Sequence, residues 1–189
     1  MRIIAGRARG KRLKTPKGML TRPTQDRIKE SLFNILENYG FSGTNVLDLF
    51  SGTGALGLES VSRGAEKAVL VEHRTGKIIL DNIIYCGFEA ECVIIKKDVY
   101  QYLRTVKDSR FDYIFADPPY EKGFVQPVAD IVSEKQLLAQ DGILIIEHTK
   151  KEPVSVPENL MLFRVKEYGD TIISFFKNKH AEGETEPCV

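Results

Sequence analysis

Cysteine is scarce in this 189-residue chain: Cys86, Cys92 and Cys188 are the whole complement. Three is an odd number and no C-x-x-C spacing occurs, so neither a disulfide framework nor a zinc site is expected, and a reducing cytoplasm fits. Cys86 and Cys92 read as small packing residues. No segment has the apolar length of a membrane span, and no apolar stretch of signal length follows Arg2. Internal repeats and obvious linkers are also missing. The length is that of one ordinary domain able to bury its own core. At 42% hydrophobic and 28% charged residues, the composition is that of a soluble globular protein. Nothing implies a metal, and a monomer is the default expectation.

Acids are missing from one place. Residues 1–22 hold eight bases (Arg2, Arg7, Arg9, Lys11, Arg12, Lys14, Lys17 and Arg22) and no acid. The remainder sets nineteen bases against twenty-six acids. A basic arm on an acidic body predicts that one end meets a polyanion, here a nucleic acid, unless it is a solvated terminus.

After the arm, Thr24 can cap a helix reaching about Tyr39, with Ile28, Leu32, Ile35 and Tyr39 on one apolar face. Strands and helices then alternate. Strands are expected at 45–50, 67–72, 92–96, 111–117 and 142–148, and helices at 54–63, 75–86, 98–106 and 124–138. Such apolar strands are expected to be buried on both faces, in a parallel sheet with helices on each side. The end changes character: two strand-like runs flank Tyr168-Gly169-Asp170 and read as a hairpin. The last ten residues or so lack apolar content and read as a disordered tail. The expected division is a basic extension over 1–22, one α/β domain over 23–178 and a tail over 179–189.

"SGTGALG" (51–57) is a G-x-G-x-x-G loop between a strand and a helix, and Glu72 lies twenty residues beyond Gly52. Alone, this pattern reads as a dinucleotide site. In a doubly wound sheet ligands sit at the carboxyl ends of the strands, so Asp48, Phe50, Ser51, Gly52, Thr53 and Gly54 are candidate cofactor residues. A carboxylate at position 48 would repel a pyrophosphate and attract the ammonium and sulfonium of S-adenosylmethionine (SAM). Glu72 is placed to accept ribose hydroxyls in either case. Asp98 could accept from the adenine amino group, with Val99 offering its N–H, or could simply cap a helix. His73 reads as a surface or lid residue, and no histidine has an evident catalytic partner.

The deciding stretch is Asp117-Pro118-Pro119-Tyr120, directly after the fourth strand. Two prolines stiffen the loop and leave carbonyls free to accept hydrogen bonds. The exocyclic amino group of a base is a poor nucleophile, because its lone pair is delocalised into the ring. The Asp117 carboxylate and the Pro118 carbonyl can each accept one of its N–H bonds and so aim that lone pair at a methyl group. Tyr120 offers a stacking face, a contact worth roughly 1–3 kcal/mol. Orientation and electrostatics would supply most of the acceleration. The glycine loop and D-P-P-Y together point to SAM.

The chain thus resembles the class I SAM-dependent methyltransferases, and among them those whose (D/N)-P-P-(Y/F) motif handles amino groups of bases. "RIIAGRARGKRLKTP", "RPTQDRIKESLFNIL", "DLFSGTGALGLESVSRGA" and "DPPY", in that order over about residues 2–177, narrow the resemblance to the RsmD family of bacterial 16S ribosomal RNA guanine-N2 methyltransferases. The resemblance implies a Rossmann-like, mostly parallel seven-stranded sheet and an N-terminal extension that grips RNA through Arg2, Arg7, Arg9, Lys11, Arg12 and Lys14. It places Asp48, Ser51, Gly52 and Gly54 at the methionine end of SAM, Glu72 at the ribose, Asp98 at the adenine and Asp117 to Tyr120 around the target guanine, with Asp117 also counted among the cofactor-binding residues. Arg22, Pro23, Thr24 and Arg27 would close over the cofactor's carboxylate. The rivals are a DNA adenine-N6 methyltransferase, a non-catalytic RNA-binding protein with the same core, and, weakest, a nicotinamide-dependent oxidoreductase. No target-recognition region is present for the first, and the intact glycine loop and D-P-P-Y oppose the second.

Overall fold

The computed structural model describes residues 1–16, 23–107 and 109–179, with backbone alone for 23–25. The expectations for Lys17, Arg22, the side chain of Thr24 and the tail beyond Lys179 lie outside the described residues.

A seven-stranded sheet forms the centre, in the order β3-β2-β1-β4-β5-β7-β6. The strands are β1 (Asn45–Leu49), β2 (Lys67–Val71), β3 (Cys92–Ile95), β4 (Phe111–Ala116), β5 (Leu138–Thr149), β6 (Leu160–Tyr168) and β7 (Thr171–Asn178). The first five pair in parallel, while β7 runs antiparallel to both β5 and β6. The hairpin read around Gly169 therefore adds the last two strands. The helices are α1 (Pro23–Leu36), α2 (Ala55–Ser62), α3 (Gly76–Cys86), α4 (Val99–Thr105) and α5 (Val125–Glu134).

Side chains alternate across a strand, so each central strand feeds two cores. Val46, Leu70, Phe115 and Phe175 pack with α1, α2 and α3 on one face. Leu47, Val71, Ile114 and Phe176 pack with α4 and α5 on the other. This two-sided burial explains why the strands read as continuous apolar runs.

Helix boundaries differ from the sequence reading in three places. At the start of α1 the backbone is already helical at Pro23, so Thr24 lies inside the helix rather than capping it. The first helix loosens into a 3-10 turn over Glu37–Tyr39, ended by Gly40 at φ 77°. Ile28, Leu32 and Ile35 are buried, but Tyr39 is 43% exposed and meets Phe163 edge-on. The fifth helix stops at Glu134 rather than 138, because Gln136 takes a left-handed φ of 50° and Leu138 already begins β5.

The basic arm is built into the fold. Its chain doubles back, with Arg2 bridging Arg12 and the Ile3 amide donating to Lys11 O at 3.0 Å. Ile3, Ala8 and Leu13 are buried in the core beside α1, α2 and α3. Glu59, fully buried on α2, accepts the amides of Ile4 (2.7 Å) and Ala5 (3.0 Å), Lys29 Nζ (3.1 Å) and Arg63 Nε (2.9 Å). Burial lowers the Lys29 pKa although Glu59 opposes that shift. Ser62 Oγ takes the Ala8 amide at 3.0 Å and donates to Ala5 O at 2.6 Å.

Candidate active site

The order of the sheet reverses between β1 and β4, and the crevice at their carboxyl ends is where a doubly wound fold binds ligands. Its floor is the turn from β1 into α2. Phe50, Gly52 and Gly54 have φ of 58°, 55° and 80°. For Phe50 the left-handed conformation costs roughly 1–2 kcal/mol. It turns the Phe50 ring onto Phe124 at 5.8 Å, which in turn lies 5.7 Å from Tyr100.

The glycine loop is braced from below. Ser51 Oγ donates to Asp48 O at 2.5 Å and to Val71 O at 3.3 Å, tying β1 to β2. Asn82 Nδ2, on α3, donates to Thr53 O at 2.9 Å. Ser51 and Thr53 are buried, so the Ser51 hydroxyl already serves the main chain. Asp48 Oδ2 accepts the Gly57 amide at 2.9 Å, in the first turn of α2. A Cβ at position 57 would lie 3.2 Å from that oxygen and 3.2 Å from Leu70 Cδ2, which explains the third glycine. Burial, opposed by the Gly57 hydrogen bond and helped by the charge of Glu72, pushes the Asp48 carboxyl up to about 7.

Glu72 follows β2 and leans over the loop: Oε2 accepts the Gly52 amide at 3.1 Å and Oε1 the Arg74 amide at 2.7 Å. Asp98 caps α4, with Oδ1 accepting from Tyr100 N (2.9 Å) and Gln101 N (3.2 Å). The capping alternative is therefore realised, and it leaves Oδ2 as the oxygen available to a ligand. Val99 is buried at the first helical position, where a backbone N–H has no intrahelical partner. His73 is exposed, its Nδ1 3.7 Å from Glu72 Oε1.

Asp117 follows β4 and opens to the crevice, as do Pro119 and Tyr120, whereas Pro118 is buried. The pairing of β4 with β5 puts Ala116 beside Ile146, so Asp117 and Glu147 occupy the next register position. The Tyr120 hydroxyl donates to Glu147 Oε1. Reduced hydration and the like charges of Glu147 and Asp48 raise the Asp117 pKa well above the ordinary carboxylate range. Glu147 is likewise raised by burial, against the Tyr120 hydrogen bond. Burial and the contact with Glu147 hold the Tyr120 proton more tightly than usual.

Glu147, Phe124 and Tyr100 were not singled out from sequence. Glu147 had a signal: like Glu72, it ends an apolar run, here Ile143–Ile146, near the carboxyl end of a strand that faces the crevice. The arm bases divide in two. Arg7 pairs with Glu91 and lies 4.5 Å over the Phe88 ring, Lys11 Nζ donates to Tyr85 O at 2.7 Å, and Lys14 pairs with Asp81 at 3.0 Å. Arg2, Arg9 and Arg12 are exposed and form no ion pair among the described residues. Among those residues no set of three His, Cys, Asp or Glu is arranged for a metal, and no helix is long and apolar enough to cross a membrane.

The model of the family described as "Conserved hypothetical protein 95" matches residues 1–177. The chain belongs to this family, the RsmD family. Relatives agree with it over nearly full length. Bacillus subtilis YlbH, named for rRNA methyltransferase activity, is 33% identical over 95% of this chain and 100% of its own. Ribosomal RNA small subunit methyltransferase D of Haemophilus influenzae is 30% identical, covering 94% of each chain. The solved structure of the Escherichia coli methyltransferase yhhF superposes with a TM-score of 0.84 at 30% identity, over 96% of this chain and 99% of that one. The family match thus takes in the arm as well as the sheet.

Proposed function

We propose that this chain is a SAM-dependent methyltransferase that modifies the exocyclic N2 amino group of a guanine in 16S ribosomal RNA of the small subunit, acting as a monomer in the cytoplasm. One observation carries the cofactor reading. Asp48 and Glu72 flank the glycine loop, and among the described residues neither is paired with a lysine or arginine. Such a site suits a ligand bearing a sulfonium and an ammonium and opposes a pyrophosphate.

The residues divide the work. The backbone at Gly52 and Gly54 permits close approach, Glu72 would accept the ribose hydroxyls, and Asp98 Oδ2 with the Val99 amide would take the adenine, with the Phe50, Phe124 and Tyr100 rings walling that end. Arg22 and Thr24 would close over the carboxylate. SAM supplies an electrophilic methyl group. Asp117 and the Pro118 carbonyl accept the two N–H bonds of the guanine amino group and fix its lone pair, while the base lies on Tyr120. Transfer of the methyl would leave the neutral thioether, and the cationic product nitrogen would then lose a proton to water or to an ionised carboxylate of the crevice. The RNA meets Arg2, Arg9 and Arg12, since Arg7, Lys11 and Lys14 already fasten the arm. The relatives named for small-subunit rRNA methylation support this substrate.

The test is transfer of labelled methyl from SAM to small subunits lacking the modification, to free 16S RNA and to duplex DNA, with the product nucleoside identified by mass spectrometry. N2-methylguanosine in the RNA is the expected result. N6-methyladenine in DNA would overturn the RNA assignment, and SAM binding with no transfer to any substrate would return the chain to a binding role.

A further inference from the structure

Tyr120 is 44% exposed at the tip of a loop, a poor foundation for a stacking platform. The two prolines restrain the loop on one side only. On the other, Glu121 and Gly123 take left-handed φ of 56° and 70°. What fixes the ring is its hydroxyl. That group donates to Glu147 on β5 and has the Thr171 hydroxyl of β7 as its second polar neighbour.

Glu147 has no structural need that explains it. It is only partly buried, and no cation pairs with it among the described residues. The β4–β5 register also sets it beside Asp117, and like charges at neighbouring positions of a sheet are unfavourable. An amide or a threonine at 147 would relieve that repulsion. Sequence positions that cost stability in a cleft are explained by what the cleft does.

Resting on the methyltransferase reading above, we propose that Glu147 is a positioning residue: it clamps the Tyr120 hydroxyl from the rigid end of β5 and so fixes the plane on which the target base stacks. Glu147 touches neither cofactor nor base in this role. The anchor is divided between β5 and β7, which makes the C-terminal hairpin part of the base-binding side of the crevice. Small displacements of a positioning group are costly to rate, so the effect belongs in kcat for the RNA rather than in SAM affinity.

The experiment compares Glu147→Ala, Glu147→Gln, Tyr120→Phe and the double variant Glu147→Ala/Tyr120→Phe in the full chain. Methyl transfer to unmodified small subunits is measured together with amide hydrogen exchange over residues 120–124, the latter without SAM or RNA. Glu147→Ala and Tyr120→Phe are each expected to lower kcat by about tenfold or more, with the KM for SAM unchanged. The double variant should be no worse than either single one. Glu147→Gln, whose amide oxygen still accepts the phenol proton, should keep most of the activity. Exchange over 120–124 should quicken in Glu147→Ala and Tyr120→Phe and stay slow in Glu147→Gln. Wild-type kcat and exchange in Glu147→Ala would overturn the proposal, as would additive losses in the double variant. A Glu147→Gln enzyme as impaired as Glu147→Ala would overturn it too, since charge rather than the hydrogen bond would then matter. Failure of the underlying reading is seen separately, in wild-type protein that methylates none of the nucleic acids.

Discussion

Gly6 lies against the backbone of Ser62, so close that a Cβ at position 6 would fall 1.8 Å from the Ser62 carbonyl oxygen. Its φ of 77° is also one that other residues rarely adopt. Gly6→Ala should therefore undock the arm rather than merely strain it. Burial of Ile3, Ala8 and Leu13 would be compromised, and a loss of about 2 kcal/mol or more in unfolding free energy is expected. SAM affinity should fall less than stability, because Ser51 and the Asp48–Gly57 contact brace the glycine loop without the arm, whereas Asn82 is bonded to Lys14 of the arm. A variant with wild-type melting temperature would show that the arm can shift at no cost.

The arm's arginines make a second prediction. Arg2 and Arg12 face each other across an antiparallel bridge, an arrangement of like charges that costs stability on its own. A polyanion lying across the bridge removes the penalty. Reversing Arg2, Arg9 and Arg12 to glutamate should raise the KM for small subunits, with the effect shrinking as salt is added. Reversing Arg7, Lys11 and Lys14 should instead lower the melting temperature, since those side chains hold α3 and the loop before β3. Equal effects of the two triples on KM at every salt concentration would refute the division.

How much of this was legible in the sequence depends on how far apart the partners lie in the chain. The five parallel strands announce themselves because runs such as Val46–Leu49 bury both faces, and D-P-P-Y is legible because its four residues are consecutive. Glu147 is different, because it meets Tyr120 only through the register of β4 against β5. Glu59 reads as an ordinary acid in a helix, yet it is fully buried and binds the amides of Ile4 and Ala5 from more than fifty residues away. The arm's charge was visible, but its docking depends on contacts no local pattern encodes. Asp98 was equally readable as a cap or a ligand, and only the structure shows that one oxygen is committed to the cap.

Glu72 links the glycine loop to the end of β2, so its removal acts twice. Glu72→Ala loses the acceptor for the ribose and frees the Gly52 amide, which it holds at 3.1 Å. SAM affinity should fall by roughly 10- to 100-fold, the equivalent of one or two charge-assisted hydrogen bonds. Calorimetric titration with SAM reads this directly, and unaltered affinity would remove Glu72 from the ribose site.

Asp117 should show the opposite pattern. Asp117→Ala removes the carboxylate that holds the amino group, so methyl transfer should drop by about 100-fold or more. SAM affinity should change little. Loss of SAM binding in step with activity would mean that Asp117 serves the cofactor rather than the base.

Asp48 ties stability to pH with a sign opposite to that of an ion-paired acid. Its folded-state pKa of about 7 stands above the ordinary 3.8, so between those values the folded protein holds a proton that the unfolded chain has released. Stability from this group is therefore full below about pH 4, declines as pH rises, and is exhausted above about pH 7. Asp48→Asn cannot titrate, and its amide oxygen still accepts the Gly57 N–H. The variant should gain on the wild type across that window, by up to about 4 kcal/mol at neutral pH. Losing the Asp48 charge also eases the neighbouring Asp117, so the difference between the two curves in urea unfolding at pH 5, 6, 7 and 8 reads position 48 together with that coupling. Parallel curves would mean that Asp48 is charged throughout. Saturating SAM should narrow the gap, because a cationic ligand favours the ionised carboxylate and the variant offers it none.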